Sequence, residues 1–165
     1  MIGVTPTSKG TTMARYLGPD DLPLDPVEAR GLLAGIGTEI HPRTTEPAAV
    51  AEVLADGERE VRAEVDLEPP ADDVAADQGM GAWHVNAQHE AHTVLSGTGL
   101  MQFMTAHGPV TAVVEAGDVV LVRGGEHRYR PLTAQRWAIR HSGGADADLG
   151  ARETGRAPSP WPALP

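Results

Sequence analysis

The chain has 165 residues, enough for one domain with a real core. Thirteen Lys and Arg stand against 23 Asp and Glu, a formal net charge of −10, which argues against nucleic acid or an anionic membrane as the main partner because both require a basic surface. Cysteine is absent, so disulfides and thiolate metal sites are excluded, and any metal must be held by imidazole, carboxylate, amide or water.

No apolar run approaches the length of a membrane span. The N-terminus lacks a basic stretch followed by an apolar one, so no secretory signal is expected and the cytoplasm is the default compartment. With three Trp, two Tyr and one Phe, the core must be built mostly from Val, Leu, Ile and Ala.

Residues 1–12 are small and polar without a period, and are expected to be disordered. A structured run opens at Met13 and continues through Leu17. Asp25-Pro26-Val27-Glu28 combines an N-cap, a proline at the first helical position and an acid in the first turn, predicting a helix to about Ala34 that Gly35 or Gly37 stops. Thr38 to Arg43 reads as a short strand, and Glu46-Pro47 as the start of a second helix through about Ala55. From Glu60 to Leu67, apolar Val61, Ala63, Val65 and Leu67 alternate with charged residues, a half-buried strand pattern with a helix as the alternative. Pro69 to Gly81 reads as an acidic, proline-bearing loop.

From Ala82 onward short β-rich runs alternate with glycine turns, at 83–86, 90–96, 99–105, 110–114, 118–122, 127–130 and 135–140. Strands at this spacing predict a mainly β sandwich or barrel. Gly97-Thr98-Gly99 is a hairpin turn rather than a phosphate loop, because strands flank it and no helix follows. Gly143 to Pro165 reads as a tail packed on the surface.

The chemistry gathers in three of these runs. His84, Asn86 and Glu90 lie in or beside the first two, and His127 opens a later one. Two imidazoles and one carboxylate suit a divalent first-row metal with open coordination positions, the arrangement that non-haem Fe(II) oxygenases use. Strand alternation puts His84 and Asn86 on one face, and Glu90, His92 and Val94 on another that points into the barrel if Glu90 does. The amide oxygen of Asn86 is a weak donor, so a three-ligand site of His84, Glu90 and His127, with Asn86 as a weak fourth, is preferred. His92 has three readings: a fourth ligand, a substrate contact or general base, or a core-facing polar residue. Tyr129 shares the face of His127 and either meets substrate or packs the rim. Trp83 should point out of the barrel, and His89 should sit exposed on a turn. His41, His107 and His141 read as surface residues. The bland reading of the whole set is a barrel without metal, its polar groups merely hydrogen-bonded.

The first segment resembles the first cupin motif, His-x-His, three or four residues, Glu, six residues, Gly, and here reads His84-x-Asn86, three residues, Glu90, six residues, Gly97. The second cupin motif resembles Gly117-Asp118 through His127, with Arg123-Gly124-Gly125 where a proline turn would stand. Within the cupins the chain is similar to acireductone dioxygenase, through Glu90-x-His92, Val94-Leu95 and Gly97-Thr98-Gly99, with weaker likeness over roughly 15–165. It departs where Asn86 replaces a histidine ligand and His92 replaces an arginine that faces the substrate. The resemblance implies a single cupin barrel, a double-stranded β-helix or jelly roll with core at about 82–141 in one domain of 13–165, flanked by a few N-terminal helices. It implies a metal, Fe(II) first, with Ni, Mn, Co and Zn also compatible. It implies oxidative cleavage by O2 of a small enediol or 1,2-dicarbonyl chelated to that metal. A monomer or homodimer is expected, and strand alternation makes His92 and Tyr129 the catalytic candidates. A metal-dependent isomerase, cyclase or lyase, and a non-catalytic metabolite-binding cupin, are the alternatives.

Overall fold

The computed structural model describes residues 14–42, 61–141 and 150–164. The expected disorder of residues 1–12 and the expected helix over 46–55 lie outside them.

The first element is strand β1 (Arg15–Leu17), paired with the two-residue β2 (Pro23–Leu24). Helix α1 (Pro26–Ala34) follows, and its first turn is closed as the sequence predicts. The Asp25 carboxylate accepts from the Val27 and Glu28 backbone N–H groups at 2.9 and 3.2 Å. Its Ala29 and Leu33 face the core, where burying Leu33 contributes about 1.5–3 kcal/mol. β3 (Thr38–His41) and β4 (Val61–Leu67) are strands, so the alternation in 61–67 is a sheet pattern rather than a helical one. The segment expected to be a plain loop contains a four-residue helix, α2 (Asp73–Ala76), whose Asp72 cap accepts from Ala75 N at 2.8 Å, and a 3-10 turn at Gly79–Gly81. One helical turn is too short to show a period.

The remaining strands are β5 (His84–Asn86), β6 (Glu90–Ser96), β7 (Thr98–Thr105), β8 (Gly108–Glu115), β9 (Val119–Val122), β10 (His127–Pro131), β11 (Gln135–His141) and β12 (Ala151–Glu153). They form two antiparallel sheets, β12-β5-β10-β7-β8-β1-β2 and β3-β9-β6-β11-β4. The core lies between them, with Met101, Phe103, Val110 and Tyr129 from the first meeting Val94, Val120, Val122 and Trp137 from the second. This is a jelly-roll arrangement, mainly β as the glycine-punctuated runs predict. No helix among the described residues is long and apolar enough to cross a membrane.

Two local features set the inner face. Gly97 turns the chain from β6 into β7 at φ 78°, a left-handed conformation that favours glycine. Just before it, the β6–β11 pairing steps from Ser96 opposite Arg136 to Val94 opposite Trp137, skipping Leu95. A shift of one residue reverses which face each side chain occupies. Below this bulge Ile139 lies opposite His92, and His141 opposite Glu90.

Candidate metal centre

The predicted residues come from both sheets. His84 on β5 is the register partner of His127 on β10, and their rings meet edge to face with centroids 4.4 Å apart. Each ring is oriented by the backbone two residues earlier. His84 Nδ1–H donates to the Ala82 carbonyl at 2.8 Å and His127 Nδ1–H to the Gly125 carbonyl at 2.8 Å. A carbonyl only accepts, so the proton is on Nδ1, and in the neutral ring the Nε2 lone pair is left for another partner. Burial, and then the neighbouring His84, lower the His127 pKa to about 4, so His127 is neutral at physiological pH.

Glu90 enters from β6 and is only 5% exposed. Its Oε2 accepts from the Asn86 side-chain amide and from His92 Nε2–H at 2.8 Å. The same Asn86 amide nitrogen lies 3.4 Å from His127 Nε2, so Asn86 bridges the carboxylate and the imidazole. Glu90 Oε1 is met at 3.1 Å by Nδ1 of His141. Burial raises the Glu90 pKa, but His141 and His92 more than offset it, and the carboxyl stays well below its ordinary range. The result is a buried, ionised carboxylate beside neutral His127.

His84, Asn86, Glu90, His92 and His127 are thus brought together. Tyr129 shares the face of His127, but its hydroxyl is bonded to Gln135 Oε1, and burial raises its pKa. Its ring packs on Trp137 at 4.3 Å, and Trp137 in turn meets the His92 ring at 5.2 Å. Tyr129 therefore stands behind His92 through a tryptophan. Gly99 makes room for it, since a Cβ there would run into the Tyr129 hydroxyl.

His141 is the main correction. Expected on the surface, it is 7% exposed and faces Glu90. Local spacing carries no trace of this, because the contact depends on the register of β11 against β6 and on the bulge at Leu95. His89 is half-buried rather than fully exposed, and His41 is bonded to Glu39 at 3.0 Å. His107 is exposed on the turn between β7 and β8, as expected. Trp83 does point away from His84. It is covered from solvent by Arg128, whose guanidinium lies 5.0 Å from its ring and 4.0 Å from that of Trp161 in the tail.

The donor set fits a divalent cation in chemistry, and both imidazoles have their Nδ1–H held by backbone carbonyls. Metal-ligating histidines commonly donate their second ring N–H to a backbone carbonyl, as both do here. Among the described residues, however, no three His, Cys, Asp or Glu side chains are already arranged to hold a metal ion. The carboxylate oxygens are occupied by Asn86, His92 and His141, so a cation would have to take over part of that bonding.

Comparison with solved structures finds an acireductone dioxygenase from Bacillus anthracis with a cadmium ion in its active centre, at TM-score 0.54 and 15% identity, covering 79% of this chain and 92% of that one. The chain has a cupin fold. An oxalate decarboxylase from Bacillus subtilis also matches, at 18% identity and TM-score 0.43, over 71% of this chain and 27% of that one. Protein-family models and curated protein sequences give no match. The segment that resembles the first cupin motif falls on β5 and β6, and the one that resembles the second on β9 and the turn into β10. The first motif's second histidine place is held here by Asn86.

Proposed function

We propose that this cupin is a metal-dependent enzyme, a non-haem dioxygenase of the acireductone dioxygenase type, in which His84, Glu90 and His127 hold one divalent ion. One observation carries the reading: two imidazoles stand side by side with Nδ1–H spent on backbone carbonyls, and Asn86 bridges His127 Nε2 to the buried Glu90 carboxylate. Fe(II) suits a centre of two histidines and one carboxylate, and Ni, Mn, Co and Zn accept the same donors. The ion, when bound, supplies Lewis-acid charge and, as iron, redox capacity toward O2.

The chain's own residues do the rest. Asn86 is a weak donor, so a bound ion would keep a coordination position for a substrate bearing two adjacent oxygens, a small enediol or 1,2-dicarbonyl. His92 lies against Glu90 through Nε2 and keeps a buried, unpartnered Nδ1, whose lone pair accepts a substrate hydroxyl proton. Trp137, packed on His92, and Tyr129 behind it exclude water from that side.

The test is O2 uptake by Fe(II)-loaded protein with a panel of small enediols and 1,2-dicarbonyls. Uptake that His92→Ala lowers by about 10²–10⁴-fold is expected. Substrate turnover that is unchanged under anaerobic conditions would replace the dioxygenase by an isomerase, cyclase or lyase. Binding without turnover would replace it by a metabolite-binding module.

A further inference from the structure

Glu90 is the only acid among the proposed ligands, and its two oxygens meet different neighbours. Oε2 accepts from Asn86, which also touches His127 Nε2, and from His92 Nε2–H at 2.8 Å, bonding that a cation would take over in part. Oε1 is turned the other way, toward the second sheet, where His141 Nδ1 stands 3.1 Å away. His141 is the last residue of β11 and the register partner of Glu90, so its position is fixed by backbone pairing rather than by a flexible stem. Both side chains are nine-tenths buried or more. The ring nitrogen is not aligned for a good hydrogen bond to Oε1 and has no other partner, so the contact is electrostatic.

We propose that His141 is a positioning residue of the metal centre: it holds Glu90 Oε1 against β11 and so leaves Oε2 as the oxygen offered toward His84 and His127. The assignment rests on the metal-centre reading above. A carboxylate held by one oxygen binds through the other alone, whereas a released carboxylate is free to rotate and to offer both. Groups that orient metal ligands from outside typically contribute 10–100-fold to metal affinity. His141 would do this from β11, a strand outside both cupin motifs.

The experiment titrates metal-free full-length protein with Co(II), following heat and the visible absorption of the bound ion. His141→Phe and His141→Leu both remove the nitrogen while keeping bulk, which guards against a folding defect in either one. Each is expected to weaken Co(II) binding by about 10–100-fold and to change the Co(II) spectrum. His141→Asn, which restores a short N–H donor, is expected to recover most of the affinity and the wild-type spectrum. Wild-type affinity and spectrum in the Phe or Leu variant would overturn the role of His141 alone. A wild-type protein that takes up no Co(II) would overturn the metal centre and this role with it.

Discussion

At the residue scale, the site depends on a histidine that burial keeps neutral and a carboxylate that burial alone would not keep charged. The two make the metal-free protein sensitive to acid. His127 has a folded pKa of about 4 against an ordinary 6.5. As pH falls through that window the unfolded chain takes up the proton first, so its contribution is complete above pH 6.5 and lost on the way down to 4. The loss is on the order of 3 kcal/mol. Glu90, held below its ordinary range, acts in the same direction at lower pH, its contribution being present above about 4.5 and lost below. Urea unfolding of metal-free protein between pH 7.5 and 4 should show this slope, and His127→Phe should flatten its upper part; equal slopes in the two proteins would refute the assignment. Asn86 makes a second prediction. Asn86→Asp adds a carboxylate beside Glu90, so the metal-free protein should lose about 1 kcal/mol or more through like-charge repulsion, and a divalent ion should bind at least as tightly as in the wild type. Thermal melts with and without metal measure both effects.

At the element scale, strand β5 carries His84 and Asn86 but has only three residues, and its outer edge is completed by the tail. β12 pairs along it, from Ala151 opposite Asn86 to Glu153 opposite His84, and Thr154 N donates to the Trp83 carbonyl at 2.9 Å. Beyond it the tail is pinned by Arg128, which is fully buried between Trp83 and Trp161 and donates to Gln102 Oε1, Asp77 Oδ1 and the Ser159 carbonyl. Arg128→Met should cost about 2–4 kcal/mol, because it leaves Gln102 Oε1 buried without its donor and Asp77 without its cation. It should also expose Trp161, red-shifting the fluorescence. Arg128→Lys should rescue little, since a point charge reproduces neither the stacking nor the fork of donors. A wild-type midpoint for Arg128→Met would show that the tail is held by other contacts.

The same scale explains what was legible in the sequence. Asp25-Pro26 announces α1 because caps are local chemistry, and the β runs are visible because glycine turns separate them. The gathering of His84, Asn86, Glu90, His92 and His127 follows from two short motifs and strand alternation. His141 and Arg128 were not legible, since each acts through register or through a tail that returns from far along the chain. The Leu95 bulge decides the first case. Without that one-residue step His141 would lie opposite Ala91 and face away from Glu90.

At the scale of the whole molecule, the acidic balance of −10 coexists with an interior cluster built to receive positive charge. Its histidines come from both sheets, so a bound ion would tie the two sheets together and stabilise the fold by mass action. The most direct test is the metal content of untagged protein saturated with Fe(II) or Mn(II) and then desalted, compared with His84→Ala, Glu90→Ala and His127→Ala. About one ion per chain is expected in the wild type, with loss of most of it in each variant and a metal-dependent rise in melting temperature in the wild type alone. Full occupancy in the His127→Ala protein, or no bound ion in the wild type, would contradict the metal centre.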